Sequence, residues 1–277
     1  MPENVIKWLE SDGLRVAAMA DVVVTGEYDV YAPFTSLGFV QQGRMSVLRG
    51  SRMDHFGPGD FVLVRKFTSG KYFKTWSEIE GSYRMLGFLF QDEFIKGLVD
   101  QLPASTNALS EVPQVVHLPS TTALTALIAS MEVFFAAGKP VDRALLRLKT
   151  HEAILSVVQA DPRTAAIFKA YAQPLRADLS QFMERFIVEK MKLDDLARLS
   201  GRSLSAFNRE FRQLFRTSPH QWIKKRRLDK ARDLMEREGR SPSDVYLAVG
   251  FEDLAHFSRS FKQQFGRNPS ELKAVPA

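Results

Sequence analysis

The stretch GFEDLAHFSRSFKQQFGRNP, from Gly250 to Pro269, consists of a turn followed by a strongly patterned helix. Phe257, Phe261 and Phe265 recur at every fourth residue, so a helix places them on one face. Polar residues occupy the positions between them. The helix is therefore predicted to bury its aromatic face and to leave the opposite face in solvent.

A second copy of this pattern lies 50 residues earlier in the chain. The matching residues are Phe207, Phe211 and Phe215 for the aromatic face, Arg209 for Arg259, and Pro219 for Pro269. Each proline lies just past the end of its helix, which it cannot continue. This part of the chain is interpreted as an internal duplication.

A shorter apolar helix and a tight turn precede each patterned helix, so the two units run from about 193 to 217 and from about 242 to 267. Gly201 and Gly250 can adopt the positive φ that such a turn requires. Helix, turn, helix is the arrangement that places its second helix in the major groove of DNA. One copy would fit an ordinary helical hairpin equally well, but two copies with matching arginines favour DNA reading.

The segment between the two units is predicted to be one long helix. Ser218 and Pro219 supply a capping side chain and a first-turn proline, and the helix can run to about Glu238. Twenty residues span roughly 30 Å, close to the roughly 34 Å between successive major-groove faces on one side of DNA. A single chain can therefore read two adjacent turns.

Three further motifs resemble the AraC/XylS family of bacterial transcription regulators. They are the Ala-x-x-x-Gly pattern from Ala197 to Gly201, the pair Gly250-Phe251, and the ending FSRSFKQQFGRNP. The resemblance covers Arg176 to about Lys273. It implies a C-terminal all-α domain that binds promoter DNA, with activation as the usual outcome and RNA polymerase as a partner.

Carried over residue by residue, the resemblance assigns base contacts to one face of each recognition helix. These residues are Ser205, Asn208, Arg209 and Arg212 in the first helix, and Leu254, Ala255, Ser258 and Arg259 in the second. Contacts to the DNA backbone are expected from Arg202, Lys224, Lys225, Arg226 and Lys262. The second unit departs from the family pattern at Pro242 and Tyr246, where an aliphatic residue and a small Ala are usual. A Tyr there must push the helices apart or turn outward.

Positive charge is concentrated in the same part of the chain. The whole chain has a formal net charge of +6. Residues 176–277 contain 21 Lys and Arg against 14 Asp and Glu, whereas the remaining residues contain 17 against 18. A local excess of cations is expected where a domain neutralises phosphates. The run from Lys224 to Arg227 is its densest cluster.

Composition excludes several classes of protein. The 277 residues include no Cys, which excludes disulfides, cysteine-ligated zinc and thiolate chemistry. The sequence contains no apolar run of about eighteen residues and no charged start before an apolar segment. Neither a membrane span nor a signal peptide is predicted, and the cytoplasm is the expected location.

Residues 28–90 consist of short β-prone runs separated by turns that contain Gly. This spacing predicts an antiparallel sandwich or small barrel. The order Gly-x-Gly-Asp before a strand, from Gly57 to Asp60, resembles a cupin-like sensor domain. The preceding stretch, to about Asp21, is interpreted as a short helix or arm.

A metal-dependent cupin enzyme would need several His and carboxylate ligands around one ion. The β region contains His55 as its sole histidine. The sequence has no Gly-rich phosphate loop with a Lys and no Gly-x-Ser-x-Gly turn. We therefore expect no metal, no cofactor and no catalytic site.

The β region can instead hold one small effector between its sheets. The residues that could line such a cavity are Phe34, Phe39, Met45, Phe61, Phe73, Trp76 and Phe88. Lys66, Lys71 or Lys74 at its mouth would suit an anionic ligand. The alternative is a closed aromatic core with solvated lysines.

Residues 91–172 are predicted to be helical, starting with a helix near Asp92 to Leu102. Two apolar stripes follow, Leu124, Leu127, Ile128, Met131 and Phe135, and then Leu145, Leu148, Ile154, Leu155 and Val158. They must pack on the β region, on each other, or on a second subunit, which gives a possible homodimer through 120–160. The run RLKTHEAILSVVQADP resembles the AraC relatives that include activators of type III secretion, which implies a regulatory protein as a possible partner.

The sequence thus predicts an α+β chain with a cupin-like β sensor region at 1–90 and a helical dimerisation or partner region at 91–172. A linker at 173–178 leads to a DNA-binding domain at 179–277. We expect a sequence-specific transcription regulator that reads two adjacent major-groove faces and is controlled through its N-terminal part. A binding module without DNA function and a cupin enzyme are the alternatives.

Overall fold

The computed structural model describes residues 5–23, 26–49, 51–76, 81–104, 108–172, 175–187 and 191–272. The chain forms two compact units, Met1–Leu175 and Arg176–Ala277. Parts of the predicted segments 1–90, 173–178 and 179–277 lie outside the described residues, including 1–4, 173–174 and 273–277.

The first unit contains two antiparallel sheets. Its strands are β1 Val5–Ser11, β2 Leu14–Val22, β3 Gly26–Tyr31, β4 Thr35–Gln42, β5 Arg44–Arg49, β6 Arg52–Phe56, β7 Phe61–Val64, β8 Ser69–Thr75, β9 Tyr83–Phe90 and β10 Val115–Leu118. One sheet has the order β1-β2-β9-β4-β7-β10 and the other the order β3-β8-β5-β6. The predicted antiparallel β region is confirmed.

The interpretation of the opening stretch as a helix or arm is wrong. β1 and β2 pair as a hairpin, with Ser11 opposite Leu14. Asp12 and Gly13 form its two-residue turn, with φ of 52° and 75°. Positive φ at both positions is what an Asp-Gly hairpin turn requires, so the signal was present in the sequence.

Both faces of the larger sheet are buried at its central strands β4 and β7. Leu37, Phe61 and Phe88 pack into a core shared with the helices, whereas Val40 and Val62 belong to a core shared with the second sheet. Successive residues of a strand point to opposite faces. Because both faces are covered, β7 reads as the unbroken apolar run FVLV rather than as an alternating pattern.

Helices cover the outer face of this sheet. They are α1 Asp92–Lys96, α2 Thr122–Ala137, α3 Arg143–Ala160 and α4 Ala165–Lys169, with short 3-10 turns at Val99–Gln101, Leu109–Glu111, Pro162–Thr164 and Ala170–Ala172. The predicted helix from Asp92 to Leu102 is wrong beyond Lys96, since the chain continues as a 3-10 turn. β10 lies inside the segment predicted to be helical and pairs with β7.

The apolar stripe of α2 is buried as predicted, but that of α3 is only partly correct. Ile154 and Val158 are buried. Leu145, Leu148 and Leu155 are 37%, 60% and 46% exposed. Leu146, Ala153 and Val157 take their places in the core. Because α3 carries apolar residues on more than one side, spacing alone allowed either stripe.

The second unit is helical. Its elements are α5 Leu179–Arg185, α6 Leu193–Leu199, α7 Leu204–Phe215, α8 Pro219–Glu238, α9 Pro242–Ala248 and α10 Leu254–Phe265, followed by a 3-10 turn at Pro269–Glu271. α8 begins after the capping Ser218 and ends at Gly239, whose φ is 65°. The predicted long helix is confirmed. Within the described parts of the chain, the helices are too short or too polar to cross a membrane.

Candidate nucleic-acid interface and N-terminal cavity

The two helix-turn-helix units close their turns in the same way. Gly201 and Gly250 have φ of 79° and 87°, a region that a side chain makes costly. Ser203 and Asp253 then cap α7 and α10, each accepting a hydrogen bond from the amide three residues further on. The two recognition helices therefore begin at equivalent points of the repeat.

The aromatic face of the repeat fixes the orientation of each recognition helix. Phe207 and Phe211 are fully buried in the first unit, as are Phe257 and Phe261 in the second. The ring centroids of each pair are 5.7 Å apart. Burial of this face determines which residues of α7 and α10 remain outside.

α7 has Ser205, Arg209 and Arg212 on its exposed side. Their spacing of four and three residues keeps them on one helical face. Asn208 lies half-buried beside them, and its Nδ2 donates to the carbonyl oxygen of Leu204 at 3.0 Å. The structure thus brings the expected base-reading residues of the first unit together, and their contact with bases stays a prediction.

α10 has the equivalent residues on its outer side, but their chemistry differs. Leu254, Ala255 and Arg259 are exposed, and Ser258 is half-buried. Two of the exposed residues in its first turn, Leu254 and Ala255, therefore offer apolar groups beside the exposed His256. Base contact by α10 likewise stays a prediction.

The expected phosphate contact by Arg202 is wrong. Its side chain is only 7% exposed and forms an ion pair with Glu210 at 2.9 Å. Its Nη1 also donates to the carbonyl oxygens of Ala177 and Ser200, at 3.0 Å and 2.8 Å. Both Nε and Nη1 are thus engaged inside the C-terminal unit, and Arg202 stabilises the turn of the first helix-turn-helix unit.

The other expected backbone contacts occupy different environments. Lys225 and Lys262 are exposed, whereas Lys224 is half-buried. Arg226 pairs with Glu184 at 2.6 Å, and its guanidinium carbon lies 5.7 Å from the ring centroid of Trp222. Lys225 and Lys262 are thus the cations of this set with the best access to a phosphate.

Arg227 has a structural position that the sequence reasoning missed. Its Nε donates to the carbonyl oxygen of Ile187 at 2.6 Å, and its Nη1 to that of Gly250 at 2.8 Å. Burial lowers the pKa of its guanidinium. Arg227 lies four residues before the buried Ala231, so helical spacing would have placed it beside the apolar stripe of α8.

The two departures of the second unit are accommodated. Pro242 occupies the first turn of α9, after the capping Ser241, where its missing amide is not needed. Tyr246 is half-buried and packs against the core that contains Val245 and Phe257. The helix pair forms with Tyr246 at the edge of its core.

The N-terminal compact unit, Met1–Leu175, contains a cavity of about 840 Å³ between its two sheets. Of the residues predicted to line such a cavity, Phe34 and Met45 do so, and their contact with an effector stays a prediction. The predicted lining is wrong for Phe39, Phe61 and Phe88, which belong to the opposite core under the helices. Trp76 packs against the core between the two sheets, and Phe73 lies on β8, but neither residue lines the cavity. The unbroken apolar strands hid which face each aromatic residue occupies.

The three lysines considered for the cavity mouth have separate roles. Lys66 pairs with Asp92 at 2.6 Å, and Lys71 pairs with Glu27 at the surface. Lys74 lines the cavity. Burial lowers the pKa of its ammonium group.

Comparison with known proteins gives two family matches. Residues 196–274 match a helix-turn-helix domain, and residues 35–167 match the ExsA N-terminal regulatory domain. Together these segments include the aromatic repeat and most of the β unit.

Individual relatives follow the same division. The regulator ExsA of Pseudomonas aeruginosa is 23% identical over 220 residues, which cover 78% of this chain and 77% of ExsA. The virulence activator VirF of Yersinia enterocolitica is 32% identical over 95 residues, 34% of this chain and 35% of VirF. The chain thus spans about a third of VirF. A crystal structure of apo ToxT from Vibrio cholerae covers 96% of this chain and 98% of its own, with a TM-score of 0.47 and 12% identity.

Proposed function

Because the chain belongs to the AraC/XylS family of DNA-binding transcription regulators, we propose that it is an activator that reads two adjacent major-groove faces with α7 and α10. The N-terminal compact unit, which contains the match to a regulatory domain, controls this activity. RNA polymerase is the partner through which bound protein acts at a promoter.

The observation that carries the proposal is the repeat of one outward arginine at the same position of each recognition helix. Arg209 and Arg259 lie 50 residues apart, on matching turns of helices that begin and end at matching positions. Both side chains are exposed. α8, with 20 residues, spans roughly 30 Å, which suits readers on neighbouring groove faces.

The chemistry of α7 supports direct readout of bases by the first helix-turn-helix unit. A guanidinium fork suits the paired acceptors of guanine, and a side-chain amide suits adenine. We assign Arg209 and Arg212 to guanine edges and Asn208 to adenine, with Ser205 as a further polar contact. In α10, Arg259 and Ser258 are the polar readers, while Leu254 and Ala255 suit the methyl group of thymine.

Exposed cations fix the position of the protein on the DNA backbone but do not select the base sequence. Lys225 on α8 and Lys262 on α10 are assigned to phosphates, which supply sequence-independent and salt-dependent affinity. Lys224 and Arg226 are assigned a smaller share because they are half-buried.

Two features support control of DNA binding through the N-terminal compact unit. The cavity between its sheets has the size of a small-molecule site. The exposed leucines of α3 offer an apolar surface for a second copy of the chain. We propose an effector for the former and a homodimer through the latter, while a regulatory protein is the competing controller.

The test is binding of the full chain to DNA from just upstream of its own gene, with excess nonspecific competitor and across a range of salt. Binding that resists competitor supports the proposal. If binding is weak, salt-sensitive and abolished by competitor, a selection from random DNA follows. Failure to enrich any sequence in that selection would refute sequence-specific reading.

A further inference from the structure

A cleft of about 530 Å³ lies between the two helix-turn-helix units of the C-terminal unit. The first helix-turn-helix unit contributes Lys192 and Leu193, at the start of α6. The second contributes its turn, Gly250–Asp253, and His256 of α10. The first half of α8 lines the cleft between them. Both readers therefore border the same cleft.

The face of α8 that lines this cleft changes its chemistry along the helix. In the second half of α8, Leu228, Ala231 and Met235 form a buried apolar stripe. His220 and Lys224 continue that stripe towards the helix start at four-residue spacing, and both line the cleft. The face that packs into a core in one half of α8 therefore presents a histidine and a lysine in the other.

His256 lies at the edge of the face of α10 that is assigned to the bases. It is exposed and precedes Arg259 by three residues, so the two side chains are neighbours on one helical face. The centroid of its ring lies 5.6 Å from that of Phe251 in the second turn. Because His256 belongs both to the cleft and to the side of α10 that carries Arg259, the cleft opens towards DNA in the proposed mode of reading.

Positive charge dominates the described lining of the cleft. Lys192, Lys224 and Arg227 are its permanent cations, and Glu252 and Asp253 are its carboxylates. Both carboxylates are engaged, since Glu252 interacts electrostatically with Arg227 and Asp253 accepts the amide hydrogen bond that caps α10. Among the described residues, Lys192 and Lys224 have no ion-pair partner. The cleft thus offers two lysines and two histidine rings to an anion.

The anion that fits this position is a DNA phosphate. In the proposed mode of reading, the cleft faces the stretch of backbone between the two major-groove sites. Each phosphate there carries one negative charge and accepts short hydrogen bonds from cationic donors. A neutral histidine ring has one N–H donor, whereas the protonated ring has two donors and a charge. Protonation therefore turns each ring into a better partner for a phosphate.

We propose that the cleft binds DNA phosphates between the two half-sites, and that protonation of His220 and His256 controls how tightly it binds them. The inference rests on the proposed function, because it requires both recognition helices on DNA. A phosphate beside either ring favours the protonated form, so DNA binding takes up protons. Affinity for DNA should therefore fall as pH rises through about 5 to 8, the range in which histidine side chains lose their charge.

The other charged groups around the cleft belong to classes that titrate outside this range. They are lysines, arginines and carboxylates. Arg216, one helical turn before His220, and Arg259, beside His256, are arginines as well. The remaining three of the five histidines of the chain, His55, His117 and His151, lie in the N-terminal compact unit. The two rings of the cleft are thus the source of the expected pH dependence.

The test measures DNA binding of the full chain by fluorescence anisotropy at about pH 6 and about pH 8, on a site obtained by selection from random DNA. Affinity should be about tenfold higher at the lower pH, and the salt dependence should be steeper there by about 0.9 for each histidine that pairs with a phosphate. His220→Gln and His256→Gln should each lose part of the pH difference, and the double variant nearly all of it. The double variant with Lys at both positions should instead bind tightly at both pH values.

Two controls locate the effect. His55→Gln changes an exposed histidine of the N-terminal compact unit, whose ring hydrogen-bonds to Ser46, and should keep the pH dependence of the parent. On the DNA, neutral methylphosphonate linkages between the half-sites should remove the pH difference, whereas the same linkages outside the half-sites should leave it. Because His220 and His256 are exposed, their variants should unfold at the same temperature as the parent.

Specific binding with equal affinity at both pH values would overturn the inference while the DNA function stands. An unchanged pH difference in the double glutamine variant would do the same. A pH difference that persists with methylphosphonates between the half-sites would also overturn it, because the histidines would then act away from those phosphates. Failure of the parent to bind any selected sequence at either pH would refute the proposed function, and this inference with it.

Discussion

Arg227, in the middle of α8, donates a hydrogen bond of 2.8 Å to the carbonyl oxygen of Gly250, the glycine of the second turn. In the first helix-turn-helix unit, Arg202 donates a hydrogen bond to the carbonyl oxygen of Ser200. Each turn is thus held by a guanidinium, but the two arginines come from different places in the repeat. The second turn is anchored to the long helix, while the first is anchored within its own unit.

Replacing Arg227 should destabilise the chain without altering sequence preference. In Arg227→Met the carbonyls of Ile187 and Gly250 lose a charged donor, at a cost of about 2 to 3 kcal/mol. Urea unfolding of the full chain measures this change. Lys225→Met, two residues earlier on the exposed side of α8, should leave unfolding within about 0.5 kcal/mol of the parent. Equal stability of both variants would contradict the anchoring role.

The pair Arg202 and Glu210 should show coupling and a defined pH dependence. A double-mutant cycle with Arg202→Gln and Glu210→Gln is expected to give about 0.5 to 3 kcal/mol of coupling. The hydrogen bond from Arg202 lowers the pKa of Glu210. Its stabilisation is therefore complete above the ordinary glutamate value of about 4.3 and lost as pH falls through the lower folded value. Urea unfolding at neutral and acidic pH measures both; a pH-independent Glu210→Gln effect would count against this account.

The ends of the two recognition helices offer a matched test of backbone strain. Arg216 and Gly266 occupy equivalent positions with φ of 56° and 74°. A Cβ on Gly266 would meet no atom within 4 Å, so Gly266→Ala should cost only the conformational term, about 1 kcal/mol. Arg216→Gly should be neutral or slightly stabilising. Calorimetric unfolding of the two variants checks the opposite signs, and a loss at Arg216→Gly larger than at Gly266→Ala would show that side-chain contacts dominate there.

The exposed leucines of α3 should determine oligomeric state. Leu148→Glu and Leu155→Glu place a charge in the proposed dimer surface. Because both side chains are exposed, the free energy of unfolding should change by less than about 0.5 kcal/mol. Sedimentation equilibrium should then report monomer for the variants and dimer for the parent. Val133→Glu on α2, 67% exposed, tests whether the surface extends to that helix. A parent chain that is monomeric at high concentration would rule the dimer out.

Arg209 and Lys225 should separate specificity from affinity. Arg209→Ala is expected to cost about 1 to 3 kcal/mol on the preferred site and to relax one base position in a selection from random DNA. Lys225→Ala should weaken every sequence alike and reduce the salt dependence by about one phosphate contact. An unchanged preferred site for Arg209→Ala would remove it from the base-reading set.

The C-terminal unit was predictable because its signals are local and repeated. Caps, turn glycines and an every-fourth-residue aromatic face act within a few residues of one another, and each occurs twice. What the sequence could not show is which cations are already occupied. Arg202 and Lys225 are both cations of this unit, but the fold surrounds Arg202 with Glu210 and two backbone carbonyls and leaves Lys225 exposed.

The N-terminal unit was harder because its central sheet has two buried faces. Phe61 and Val62 are equally apolar neighbours, yet they belong to different cores. No pattern in β7 tells which side faces the cavity. The same ambiguity placed Leu148 in the predicted stripe of α3, where a second apolar side competes for burial.

α8 connects the two readers without a break from Pro219 to Glu238. Each residue of a helix adds 1.5 Å and turns the chain by about 100°. Deleting one residue from its middle would swing α10 about a quarter-turn out of phase with α7, whereas a loop would absorb the change. In the proposed mode of reading, the spacing of the two half-sites on DNA is therefore tied to this angular phase. An insertion of about seven residues, close to two full turns, would restore the phase but lengthen the helix by roughly 10 Å.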